Sequence, residues 1–146
     1  MRFVDRVRSA VGDLEGKHLG LWGLAFKAGT DDLRQSPAME IAGRLTQAGA
    51  FVRAYDPAAM EHAAPHLPYV EMAADPYEAA RTADALVICT EWPEFAEADL
   101  GLLRSVMSRP VIVDGRNLFD PADVAAAGFL YVSMGRPTVS GDAPTS

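Results

Sequence analysis

Residues 18–24, His18-Leu19-Gly20-Leu21-Trp22-Gly23-Leu24, form a short and nearly all-apolar run. That is the pattern of a strand buried on both faces of a sheet. Four similar runs follow: Phe51-Val52-Arg53-Ala54-Tyr55, Ala85-Leu86-Val87-Ile88-Cys89, Pro110-Val111-Ile112-Val113-Asp114 and Phe129-Leu130-Tyr131-Val132-Ser133. Helical patterns separate them. The clearest covers residues 37–48, where Ala38, Ile41, Ala42, Leu45 and Ala48 share one face, Ser36 is placed to cap, Pro37 takes the first helical position and Gly49 stops the helix. Further helices are predicted near residues 58–64, 76–82, 100–107 and 122–126. At the amino end, Phe3, Val4, Val7 and Val11 recur at helical spacing opposite Asp5, Arg6 and Arg8. That apolar stripe needs a surface to lie against, and left exposed it would drive association between copies.

Alternation of strand and helix predicts an α/β fold, a doubly wound, Rossmann-like parallel sheet of about five to six strands with helices on both faces. The length of 146 residues suits one domain with its own core. Residues 1–15 read as the end of an interdomain helix and residues 16–136 as the globular unit. Residues 137–146 read as a flexible tail, rich in breakers and with little to bury. A net charge of -7 argues against nonspecific nucleic-acid binding. Cys89 is the only cysteine, so neither an internal disulfide nor a cysteine zinc site is expected, and a cytoplasmic setting fits. No run approaches the roughly 20 apolar residues of a membrane span, and the amino end lacks the apolar core of a secretion signal.

Ligands of open parallel sheets bind beyond the carboxyl ends of the strands, so the loops that follow strands hold the candidate chemistry. The segment at residues 25–35 is about twice the usual length of a strand-to-helix connection. It carries Lys27, Arg34, Thr30, Asp31 and Asp32 before a helix amino end that favours anions. It matches neither the dinucleotide glycine fingerprint nor the P-loop. The third strand empties into Thr90-Glu91-Trp92-Pro93-Glu94-Phe95 and the fourth into Gly115-Arg116-Asn117-Leu118-Phe119-Asp120-Pro121. Lys27, Arg34 and Arg116 together suit a ligand with several anionic oxygens, such as a nucleoside diphosphate. Equally, Lys27 and Arg34 can pair with Asp31 and Asp32, and Arg116 with Asp114 or Asp120. Asp56 before Pro57 and Asp120 before Pro121 read as caps, Cys89 as core, and His18, His62 and His66 lack metal-ligand spacing.

Taken in order, Trp22-Gly23-Leu24-Ala25-Phe26-Lys27, Gly29-Thr30-Asp31-Asp32-Leu33-Arg34 and Ser36-Pro37 closely resemble the carboxyl-terminal domain of the UDP-glucose 6-dehydrogenase family. Ala54-Tyr55-Asp56-Pro57, Ala83-Asp84-Ala85-Leu86-Val87, Thr90-Glu91-Trp92, Asp114-Gly115-Arg116-Asn117 and the stretch from Gly128-Phe129 to Gly135-Arg136 follow in family order. The resemblance covers residues 16–136. It implies an enzyme that oxidises the primary alcohol of a nucleotide sugar to a carboxylate in successive steps with NAD as cofactor, its carboxyl-terminal domain holding the UDP moiety.

By the same resemblance Phe26, Lys27 and Arg116 are substrate-binding, and Arg34 reaches NAD across a domain cleft. No catalytic or metal-binding residue is expected here. The family's NAD-binding domain and its central domain with a Gly-Gly-x-Cys nucleophile have no counterpart in this chain, and Cys89 stands in the wrong context to replace that thiolate. The chain alone is therefore expected to catalyse nothing and to need those missing domains as partners. UDP-glucose is the expected ligand; GDP-mannose and UDP-N-acetylmannosamine dehydrogenases share several of the same elements. A free-standing binding module or a remnant without a ligand are the readings outside enzymology.

Overall fold

In a computed structural model, residues 2–141 are described; the end of the expected tail, residues 142–146, lies outside them. The elements run α1 Arg2–Val11, β1 His18–Trp22, α2 Pro37–Gln47, β2 Phe51–Tyr55, α3 Met60–Ala63 continued by a 3-10 turn Ala64–His66, and β3 Val70–Met72. They continue α4 Pro76–Ala80, β4 Ala85–Ile88, α5 Pro93–Ala96, α6 Leu100–Val106, β5 Val111–Asp114, α7 Pro121–Ala126, β6 Leu130–Ser133 and β7 Val139–Ser140. The seven strands form one sheet in the order β3-β2-β1-β4-β5-β6-β7. All neighbours are parallel except β6 and β7. The α/β doubly wound reading holds.

The near-continuous apolar strands feed two cores because successive side chains point to opposite faces. Leu19, Leu21, Ala85, Val87, Val111 and Val113 join one core with Ile41, Ala42 and Leu45 of α2. Trp22, Leu86, Ile88 and Ile112 join the other with Phe95, Leu103, Val124 and Phe129. Gly20 allows α4 to lie close on β1: a Cβ there would stand 2.6 Å from the Ala79 carbonyl oxygen.

Two expectations are revised and one open point is settled. The sheet has seven strands rather than five to six, because β3 and β7 span three and two residues, too short for any periodic pattern to show. Residues 137–141 are not free: Val139 and Ser140 pair with Tyr131 and Leu130, and the Gly141 N–H donates to the Phe129 carbonyl at 2.8 Å. The apolar stripe of α1 is not exposed. Phe3, Val4, Val7 and Val11 are buried against this chain's own sheet. Arg109 Nη1 donates to the Val11 carbonyl at 3.3 Å, satisfying a helix-end acceptor. Among the described residues, no helix is long and apolar enough to cross a membrane.

Val7 is fully buried, so Val7→Ala removes methyl groups worth ~0.8 kcal/mol each and leaves a cavity besides. Urea denaturation should show a loss of about 2 kcal/mol. A loss below about 0.5 kcal/mol would mean that α1 is undocked in solution.

Candidate functional site

The strand order reverses between β1 and β4, which places the topological switch point, and the crevice beyond it, at the carboxyl ends of these two strands. Gly23, the first residue after β1, has φ +98°, and a Cβ on it would stand 2.4 Å from the Thr90 Cβ. Only glycine tolerates both conditions. Its N–H donates to the Tyr55 carbonyl at 2.8 Å, and the Cys89 N–H donates to the Trp22 carbonyl at 2.8 Å. The segments leaving β1, β2 and β4 are thus tied together from their first residues.

Asp56, which follows β2, is fully buried at that junction. Its Oδ2 accepts the N–H groups of Leu24 at 2.7 Å and Ala25 at 3.0 Å, and the Trp92 indole N–H at 3.2 Å. Its Oδ1 accepts the N–H groups of Ala58 and Ala59, both at 2.8 Å. Two more buried hydroxyls finish the local wiring. Thr90 Oγ1 donates to the Ala25 carbonyl at 3.0 Å, and Ser36 Oγ donates to the Leu24 carbonyl at 2.7 Å. Ser36 therefore does not cap α2 with its side chain, contrary to expectation; Pro37 does open that helix. Asp120 does cap, accepting the Ala122 N–H at 2.9 Å.

With Leu24 and Ala25 anchored, the chain projects Phe26 and Lys27 outward, both exposed. The Phe26 N–H donates to the Asp32 carbonyl at 2.7 Å, closing the loop on itself. Among the described residues Lys27 has no hydrogen-bond or ion-pair partner. Arg34 grips Asp32 through Nε and Nη2, both at 3.0 Å, and stays largely in solvent. This hydrogen bonding with Arg34 holds the Asp32 carboxyl down at about 2 and raises the Arg34 guanidinium in turn. His62 Nδ1 lies 3.2 Å from Asp31 Oδ2. Arg34, Thr30, Asp31, His62 and His66 line an open groove of about 830 Å³ between this loop and α3.

On the other side of β4, the β5 loop is pinned as firmly. Buried Asp114 accepts the Arg116 N–H on Oδ1 at 2.8 Å, and on Oδ2 the Leu118 N–H at 2.7 Å and the Tyr131 hydroxyl. Burial and the bond to Asp114 push the Tyr131 phenol well above its ordinary range. Asn117, at φ +55°, clasps Met134 with both ends of its amide at 2.9 Å. The Arg116 side chain meets Glu91 of the β4 turn, Nη2 to Oε1 at 2.7 Å, rather than Asp114 or Asp120. Burial, with the Asp114 charge adding and Arg116 opposing, pushes the Cys89 thiol up to about 12. It is therefore protonated near neutral pH and is no nucleophile.

The fold thus sets Phe26 and Lys27 beyond β1, Arg116 beyond β5, and the Thr90-Glu91-Trp92 turn between them, touching both loops. Arg34 stands apart on the α3 flank. Asp56 is more than the cap that a carboxyl before proline suggests, and the connecting role of Glu91 has no local signal in the sequence. Among the described residues, no cluster of His, Cys, Asp or Glu is arranged to hold a metal ion.

Residues 20–121 match the model of the UDP binding domain of the UDP-glucose/GDP-mannose dehydrogenase family. The chain is 42% identical over 146 residues to the UDP-glucose 6-dehydrogenase TuaD of Bacillus subtilis, covering 99% of this chain and 32% of that protein. It is 47% identical over 131 residues to the UDP-glucose 6-dehydrogenase of Rhizobium meliloti, covering 90% and 30%. Among solved structures it is similar to a UDP-glucose dehydrogenase from Pyrobaculum islandicum, with a TM-score of 0.76 and 34% identity over 90% of this chain and 28% of that one. An NDP-N-acetyl-D-galactosaminuronic acid dehydrogenase from Methanosarcina mazei superposes with a TM-score of 0.78 at 28% identity, covering 92% and 28%. The chain spans about a third of the length of the curated relatives it matches.

Asp56→Ala would strand N–H groups from three connections, and denaturation should register a loss of about 3 kcal/mol or more. Asp32 has a depressed folded-state pKa, so its pairing contributes stability above the ordinary carboxylate range and loses that contribution as pH falls from about 4 toward 2. NMR titration of its side chain should show this low midpoint, and Arg34→Ala should return it to the ordinary range. A midpoint already ordinary in the unaltered chain would show that the Arg34 contact does not form in solution.

Proposed function

This chain belongs to the UDP-glucose/GDP-mannose dehydrogenase family as its UDP-binding domain, and from that premise we propose that it holds the UDP moiety of UDP-glucose for oxidation to UDP-glucuronate. The observation that carries the reading is the pair of cations flanking the switch point. Among the described residues Lys27 is without a partner, and Arg116 has a single side-chain hydrogen bond, through Nη2. A diphosphate crossing the carboxyl ends of β1, β4 and β5 meets a point charge from Lys27 and a planar donor fork from Arg116. Exposed Phe26 offers an apolar surface beside them for the neutral part of the ligand. The rest of the surface is acidic on balance, so these cations are a local attraction for an anionic ligand.

NAD, when bound in the whole enzyme, supplies the hydride acceptor. Of the residues here, Arg34 suits contact with it: Asp32 occupies Nε and Nη2, and the largely solvent-exposed side chain lines the open groove. Such a contact binds and orients; it moves no proton. The nucleophile and the rest of the cofactor site belong, on this reading, to domains that make up the remaining length of the relatives. Cys89, half-buried and with its thiol pushed up, does not substitute for them. The working compartment on this reading is the cytoplasm.

Titration calorimetry of the chain should give saturable binding of UDP-glucose, with GDP-mannose and NAD much weaker, and the chain alone should produce no reduced nicotinamide. Arg116→Ala should weaken UDP-glucose binding by about 1–3 kcal/mol, the cost of a lost charge-assisted contact. Unchanged affinity would remove Arg116 from the site. Absence of UDP-glucose binding by the unaltered chain would overturn the reading that this domain holds the nucleotide unaided.

A further inference from the structure

Arg116 is fixed by its backbone from both sides, yet its long side chain is steered by one contact. Asp114 takes its N–H, and the Asn117 clasp to Met134 holds the next residue. Among the described residues the guanidinium hydrogen-bonds only Glu91, through Nη2 at 2.7 Å. Glu91 itself sits between two anchored residues. Thr90 is bonded to the Ala25 carbonyl and Trp92 to Asp56, the same groups that position the segment leading to Phe26 and Lys27. The direction of the Arg116 guanidinium is thereby referred to the β1 loop through the β4 turn.

The form of the contact decides what it does. A bidentate carboxylate would occupy the fork that a phosphate needs, and ligand binding would then require displacing it. Here one Glu91 oxygen meets one Arg116 nitrogen, and the second Nη2 N–H, with its neighbour on that edge, is left as a two-donor fork for a ligand. Side-chain exposures of 39% for Arg116 and 50% for Glu91 place the pair at the rim, where it contributes little to stability. We infer that Glu91 is a positioning residue for nucleotide binding, holding the Arg116 guanidinium with its free edge toward the diphosphate while the ligand is bound. The inference rests on the proposed role of Arg116 in the UDP site.

UDP binding to the unaltered chain, Glu91→Ala, Glu91→Gln and Arg116→Ala, followed by calorimetry, tests it. Loss of the pre-set rotamer in Glu91→Ala should weaken UDP about two- to tenfold, the scale of ordering one long side chain on binding. Glu91→Gln keeps an oxygen acceptor and removes a negative charge beside the phosphates, so its affinity should equal or exceed that of the unaltered chain. Thermal unfolding should be unchanged in both Glu91 variants. Affinity in Glu91→Ala equal to or tighter than the unaltered chain would overturn the inference and make Glu91 a bystander or a competitor. So would a Glu91→Gln chain as weak as Glu91→Ala. If Arg116→Ala leaves UDP binding unchanged, the site reading itself fails; if it weakens binding and Glu91→Ala does not, only the positioning role fails.

Discussion

Everything at the candidate ligand edge depends on satisfying a cluster of N–H groups with one buried side chain. Where β1, β2 and β4 end together, the chain turns away from the sheet, and its amides lose their ladder partners while still inside the protein. Leaving such groups unpaired costs about as much as losing a hydrogen bond each. Asp56 collects them: two N–H groups from the β1 exit, two from the β2 exit, and the Trp92 indole from the β4 exit. Full burial of Asp56 makes this geometry unforgiving, because its bonds to Leu24, Ala25 and Ala59 lie away from solvent. The loops that carry Phe26, Lys27 and the Glu91 turn are rigid at their roots for that reason.

A second carboxyl repeats the device one strand further on. Asp114 ends β5 and receives the N–H groups of Arg116 and Leu118 and the Tyr131 hydroxyl, which Arg136 Nη2 also contacts at 3.0 Å. Two buried acids thus bracket the switch point, each serving backbone rather than ligand. The cations stand outward of them, where their charge reaches solvent and any anion arriving there. Separating rigid buried acceptors from exposed cations would let the edge take an anion, as proposed, without burying an unpaired charge. The carboxylates of Asp32, half-buried, and Glu91, exposed, then set which edge of each guanidinium is open.

Much of the fold was legible in advance. Five mostly apolar strand runs alternating with helical patterns specify a doubly wound parallel sheet, since burial on both faces leaves few polar positions in the strand. The Pro37 helix start and the Asp120 cap were legible for a similar reason: each is a local backbone requirement met by a neighbouring residue. The short edge strands β3 and β7 were not, because two or three residues carry no periodicity. Their strand character comes from a partner already in place.

The candidate site divides along the same line. Lys27, Arg34 and Arg116 were identifiable from residue type and position after strands, and the ordered motifs around them pointed to one family. Their partners were not. Arg116 and Glu91 lie 25 residues apart, and Asp56 bonds groups 31 to 36 residues away. Whether the α1 stripe faced solvent or the core was equally undetermined until the sheet beneath it was in place. The sequence by itself determined the elements, their order and the edge on which the cations gather, because these follow from local periodicity and short-range backbone chemistry. Tertiary structure alone decided which carboxyl serves which loop and where each guanidinium points, because hydrogen bonds and ion pairs act over a few ångströms between strands that only folding makes neighbours.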